Sequence, residues 1–85
     1  MDYLPVHLYN SIKKLQDVHD FLTLHYDQND LSIARMKRLI DVSIKRIQDL
    51  NRIPPNALEV IGAMEPSNLM QLSILLYNLQ TYLCA

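Results

Sequence analysis

Apolar side chains recur every three or four residues along the first part of the chain, a spacing that brings them to one face of a helix. The pattern predicts a first helix over residues 5–26, with Pro5 in its first turn. Residues 26–30 are turn-forming, and Asp30 is expected to cap the helix that follows. The apolar face of the first helix consists of Leu4, Leu8, Ile12, Leu15, Val18, His19, Leu22 and Tyr26.

The second predicted helix, about residues 31–52, has the most regular amphipathic pattern of the chain, and Pro54 is expected to end it. A short third helix over residues 55–64 contains Gly62, which either allows another helix to approach closely or marks an early end. Ser67 is expected to cap the last helix, about residues 68–83. The apolar face of the second helix consists of Ile33, Met36, Leu39, Ile40, Ile44, Ile47 and Leu50.

The last helix has two apolar arcs and no charged side chain. On a helical wheel, Met70, Ile74 and Tyr77 form the smaller arc, and Asn78 borders it. The larger arc consists of Leu69, Leu72, Leu75, Leu76, Leu79, Tyr82 and Leu83. A membrane span is not expected, because a bilayer requires about 20 predominantly apolar residues. Five polar side chains interrupt this helix, namely Gln71, Ser73, Asn78, Gln80 and Thr81.

Two interpretations of the smaller arc remain open. In the first, the last helix is the central helix of the bundle, and other helices of the same chain bury both of its faces. In the second, the larger arc faces the core while Met70, Ile74 and Tyr77 face a second chain. Protein interfaces are poor in charge and rich in tyrosine and methionine, which fits the second interpretation.

These patterns together predict an all-α fold, a compact antiparallel bundle of three longer helices plus one short helix. We expect it to form one helical domain over residues 1–85, because a chain of this length has room for a single core. The predicted core consists of Leu8, Ile12, Leu15, Leu22, Ile33, Met36, Leu39, Ile40, Ile44, Ile47, Leu58, Ile61, Leu72, Leu76 and Leu79.

The composition adds two constraints. A domain this small buries only about 60% of the surface of its unfolded chain, which favours association with another chain. The single cysteine, Cys84, cannot form an internal disulfide, and the first residues do not resemble a signal peptide. Both features predict a cytoplasmic protein.

The charge distribution is uneven, although the net charge of the chain is −1. Residues 30–53 hold six of the eight basic residues against three acidic ones, which makes this segment +3. One side of the second helix therefore carries a possible face for an anionic partner, formed by Arg35, Arg38, Lys45 and Arg46. Binding of DNA or RNA is the less favoured use of this face, because Asp41 and Asp49 lie among the basic residues and the pI is about 6.2.

No residue pattern of a catalytic or metal site is present in the sequence. His7 and His25 are 18 residues apart, too far along one helix to share an ion, and His19 is expected to be a core residue. No phosphate-binding loop, catalytic triad or cysteine pair occurs. We therefore expect neither an enzyme nor a cofactor or metal site.

The expected function is that of a small non-enzymatic protein–protein interaction or regulatory protein. Its partner is expected to be another copy of itself, another protein, or both, bound through Met70, Ile74, Tyr77 and Asn78. The alternative is a DNA- or RNA-binding regulator that uses the basic face of the second helix.

Overall fold

Four helices account for most of the structure, a computed structural model that describes residues 5–84. They are α1 Pro5–His25, α2 Leu31–Leu50, α3 Pro55–Gly62 and α4 Leu69–Leu83. No strand is present in this range, so the prediction of an all-α fold with three longer helices and one short helix is confirmed. Leu4 of the predicted first helix and both ends of the predicted domain lie outside the described residues.

The turn between α1 and α2 is held by side chains that bond to the exposed helix ends. Asp30 caps α2 as predicted, because its Oδ1 accepts a hydrogen bond of 2.8 Å from the backbone N–H of Ser32. The side-chain amide of Gln28 donates to the carbonyls of Leu22, Thr23 and Tyr26. Leu22 and Thr23 lie in the last turn of α1 and Tyr26 just after it, where backbone carbonyls lack helical partners.

Four predicted helix boundaries are wrong by one or two residues: the ends of α1, α2 and α3 and the start of α4. α2 ends at Leu50 because Asn51 takes the left-handed conformation, with φ 53° and ψ 35°, and its N–H closes back on Ile47. α4 begins at Leu69 because Asn68, and not Ser67, is its cap. The Oδ1 of Asn68 accepts a hydrogen bond of 3.2 Å from the backbone N–H of Gln71.

Gly62 is the last residue of α3, so the predicted third helix ends two residues early. A Cβ atom placed on Gly62 would meet no atom of another helix within 4 Å. The glycine therefore marks an early helix end and does not serve the close approach of another helix.

The core is one cluster to which all four helices contribute. Five predicted members, Leu8, Ile12, Leu39, Ile44 and Leu58, are only partly buried and pack against its edge. Ile53 and Met64 lie in the connections and were missed, because connecting residues have no helical periodicity. The fully formed cluster consists of Leu15, Val18, Leu22, Ile33, Met36, Ile40, Ile47, Ile53, Ala57, Ile61, Met64, Leu72, Leu76, Leu79 and Leu83.

Each helix packs on two others: α2 on α1 and α4, and α3 on α1 and α4. The predicted antiparallel arrangement of the helices is not shown. The first half of α2 lies against the first half of α4, and Ser43 bonds to Gln80 further along both helices. These contacts have the register of two helices that run in the same direction.

The chain connecting α2 to α4 explains this direction. The residues between Leu50 and Leu69, which include α3, bring the chain back to the end of the bundle where α2 begins. Tyr26, just after α1, donates a hydrogen bond of 3.4 Å to the carbonyl of Pro66, just before α4. Among the residues of this structure, no helix is both long and apolar enough to cross a membrane.

Two buried serines differ in their hydrogen bonding. The Ser43 hydroxyl donates to the carbonyl of Leu39 at 2.7 Å and accepts from Nε2 of Gln80 at 2.7 Å, which ties α2 to α4. The Ser11 hydroxyl in α1 is also buried, and it has no hydrogen-bond partner within residues 5–84. Burial without a partner is unfavourable for a hydroxyl, whereas a fully bonded hydroxyl adds to stability.

We expect Ser43→Ala to lower stability and Ser11→Ala not to lower it. Both substitutions raise helix propensity equally, so their difference reports the hydrogen bonds. Ser11→Ala should leave the free energy of unfolding unchanged or raise it by up to about 1 kcal/mol. Ser43→Ala should lower it by about 1–3 kcal/mol, because the Gln80 amide loses its partner. Urea unfolding at one fixed protein concentration measures both, and equal effects would contradict the assignment.

We expect Asn51→Ala to lower the free energy of unfolding by about 1–2 kcal/mol, because alanine has no favourable left-handed conformation. Asn51→Gly is the matched control. Glycine takes this conformation freely, so this variant should be close to wild type. The same urea experiment distinguishes the two, and equal losses in both variants would show that the Asn51 side chain, not the backbone conformation, matters.

Candidate protein-binding surface

The smaller apolar arc of α4 faces away from the core. Met70 is 78% exposed, Ile74 56% and Tyr77 52%, while Leu72 and Leu76 on the opposite face are fully buried. Asn78 beside them is exposed as well. The interpretation in which helices of the same chain bury both faces of α4 is therefore wrong for residues 5–84. The structure brings the four predicted partner-binding residues together on one accessible helix face.

Thr81 extends this face by one more turn. It follows Tyr77 by four residues and is exposed. We call Met70, Ile74, Tyr77 and Thr81 the outer stripe of α4. Thr81 was not predicted as part of this face, because the smaller arc was defined by its apolar side chains. Its helical spacing from Tyr77 was the available signal.

A groove of about 530 Å³ lies between α2 and α4 along the outer stripe. Its only charged lining residues are Asp30 and Arg35, both from the α2 side. Asp30 already caps α2. Arg35 is exposed and forms no ion pair within the described part of the chain. The remaining lining residues are mainly apolar: Ser32, Ile33, Met36, Leu39, Leu69, Met70, Ser73, Ile74 and Tyr77.

The outer stripe and the groove can bury apolar area and form a few polar contacts. They hold no histidine, cysteine or glutamate, and Asp30 is the only carboxylate. Across residues 5–84, no three histidine, cysteine, aspartate or glutamate side chains come together as a possible metal site.

The predicted anionic-partner face is divided between different surfaces. Arg35 lines the α2–α4 groove, whereas Arg38 lines a hollow on the α1 side with His19 and Asp41. Lys45 lies between two hollows, one with Asp20 and Asp41, the other with Arg46 and Asp49. Each of these three hollows contains at least one aspartate beside its basic residues, and the four basic residues do not line one common surface.

His19 is not a core residue, contrary to the sequence-based prediction. Its side chain is 27% exposed and lies between α1 and α2, where its Nε2 is 3.6 Å from Oδ1 of Asp41. The helical period placed His19 within the apolar face of α1, but the buried residues of α1 are Ser11, Leu15, Val18 and Leu22, and α2 supplies an acidic residue beside His19. Position 19 therefore forms a polar contact between two helices at the surface.

The surfaces described above are the basis for inferring the function. No protein-family model, curated protein or solved structure matches the chain. The outer stripe of α4 combines three large exposed apolar side chains with an adjoining groove of about 530 Å³. They are therefore the basis of the proposal that follows.

Proposed function

We propose that this is a non-enzymatic protein–protein interaction protein that binds a second copy of itself through the outer stripe of α4 and the α2–α4 groove. The observation that carries the proposal is the exposure of Met70, Ile74 and Tyr77 on a helix without any charge. Large contiguous apolar surfaces on small proteins typically mark interaction sites. A regulatory role through this association is part of the proposal.

The driving force is the removal of apolar surface from water. Full burial of one large apolar side chain contributes about 1.5–3 kcal/mol, and three such side chains per copy are half to three-quarters exposed. Their residue types also fit, since tyrosine and methionine are enriched in protein interfaces and charged residues are depleted from their centres. Association costs about 4–15 kcal/mol in lost freedom, which is comparable to this gain, so we expect a reversible dimer and not a permanent one.

Charge favours a second copy as the partner. When a surface meets itself, every charge on it meets the same charge distribution again. The residues of α4 carry no charge, and the groove carries one acid and one base, Asp30 and Arg35. Self-association therefore brings no excess of like charge together. A strongly acidic or basic partner would find no complementary charge here.

Nucleic-acid binding has no comparable support. It requires basic side chains on one continuous surface, but Arg38, Lys45 and Arg46 line hollows that also contain aspartates, namely Asp20, Asp41 and Asp49. The exposed thiol of Cys84 is compatible with a reducing compartment, and we place the proposed dimer in the cytoplasm.

We expect Ile74→Asp to dissociate the dimer and leave each chain helical. The substitution puts a charge into the buried centre of the proposed interface, whereas position 74 is more than half exposed in the single chain. Light scattering during gel filtration at micromolar concentration measures the mass, and circular dichroism measures the helix content.

Val6→Asp is the matched control. Val6 is also β-branched and 56% exposed, but it lies in the first turn of α1, at the end of the bundle away from the groove. This variant should remain a dimer. A wild-type chain that is a monomer throughout the micromolar range would overturn the proposal, and so would loss of the dimer in both variants.

A further inference from the structure

The outer stripe of α4 has a spacing that is the same in both directions. Its four members follow one another by four, three and four residues, from Met70 through Ile74 and Tyr77 to Thr81. A rotation that reverses the helix therefore exchanges Met70 with Thr81, and Ile74 with Tyr77. Contact positions that alternate by three and four residues are also those through which two helices pack side by side.

Building on the proposed dimer, we infer that two copies pair α4 against α4 in antiparallel directions about a two-fold axis. Ile74 of each copy packs on Tyr77 of the second copy at the centre, and Met70 packs on Thr81 at both ends. A two-fold interface requires that if one residue contacts another, the reverse contact also forms. The four–three–four spacing satisfies this requirement, and each of the four residues of the stripe has a partner in the second copy.

The antiparallel direction places side chains of different size opposite each other. In the opposite, parallel arrangement each residue would meet its own copy, so Tyr77 would face Tyr77 and Thr81 would face Thr81. Interfaces fill space best when large and small residues alternate across them. Pairing Met70 with Thr81 provides this alternation.

Helix electrostatics favour the same direction. The N-terminus of a helix carries a partial positive charge and the C-terminus a partial negative charge. An antiparallel pair places unlike ends together, whereas a parallel pair places like ends together. α4 has no charged side chains that could offset this difference.

The polar neighbours of the stripe obey the same symmetry. Ser73 and Asn78 lie on opposite flanks of the stripe, about 140° apart on the helical wheel. Ser73 lines the groove and is half-buried, while Asn78 is exposed. A two-fold antiparallel pair brings like flanks of the two helices together, so Asn78 lies on the flank of the second copy's Asn78, and Ser73 on the flank of its Ser73. Because both stripes are occupied, assembly stops at two chains.

Disulfide trapping tests the direction of pairing. Single-cysteine chains are made in a Cys84→Ser background, one with Ile74→Cys and one with Tyr77→Cys, and are mixed in equal amounts. Oxidation with dissolved oxygen and a copper–phenanthroline catalyst takes two electrons and two protons from each pair of thiols, which oxygen accepts. A disulfide forms readily only when the two Cα atoms come within about 7 Å.

We expect the mixed disulfide between positions 74 and 77 to be the main product, well above the one-half share of random pairing. Intact mass spectrometry separates it from the two same-position products. Met70→Cys mixed with Thr81→Cys should likewise give mainly the mixed product. The control is Val6→Cys, which measures background cross-linking. The native Val6 side chain is also more than half exposed.

The outcomes separate this inference from the proposed function. Same-position disulfides as the main product would overturn the antiparallel pairing and leave the dimer itself standing. Yields no higher than those of Val6→Cys, together with a dimer that Ile74→Asp still dissociates, would overturn the α4–α4 pairing alone. A monomeric wild-type chain would overturn both.

Discussion

α4 has two apolar faces, but only one side of it is packed against the rest of the bundle, and the outer surface of the protein follows from this constraint. α4 contacts α2 and α3, and α1 lies across the core from it. The leucines that point between α2 and α3 are fully buried, among them Leu72, Leu76 and Leu79. Among residues 5–84, no further helix covers Met70, Ile74 and Tyr77.

The hydrogen bond between Ser43 and Gln80 sets how α4 lies along α2. It joins a fully buried hydroxyl to the amide of a half-buried side chain, at 2.7 Å. An apolar contact tolerates sliding of one helix along another, whereas a buried polar pair is satisfied in one register only. With this register, Leu39 and Arg35 of α2 come to line the same groove as Ile74 and Tyr77.

The sequence alone predicted the helices well, because regular spacing of apolar residues reflects burial on one side. It was less accurate where no spacing exists: the cap at Asn68, the left-handed Asn51, and the buried Ile53 and Met64. His19 also depended on its neighbour across the helix interface, which periodicity within one helix does not report. The wheel separated the two arcs of α4, but only the packing of four helices shows that one arc is exposed.

The outer sides of α2 and α4 differ in charge, and this difference bears on the role of the outer stripe. Both helices bury one apolar face in the same core, yet the outer side of α2 carries Arg35, Arg38 and Asp41, and the outer side of α4 carries no charge. A charged residue at Met70 or Ile74 would cost the isolated chain little, because these positions face water. Folding of the single chain therefore does not require apolar residues there. Association does, because a charge in a buried interface loses its hydration. The composition of the outer side of α4 thus fits the requirements of an interface better than those of a solvated helix face.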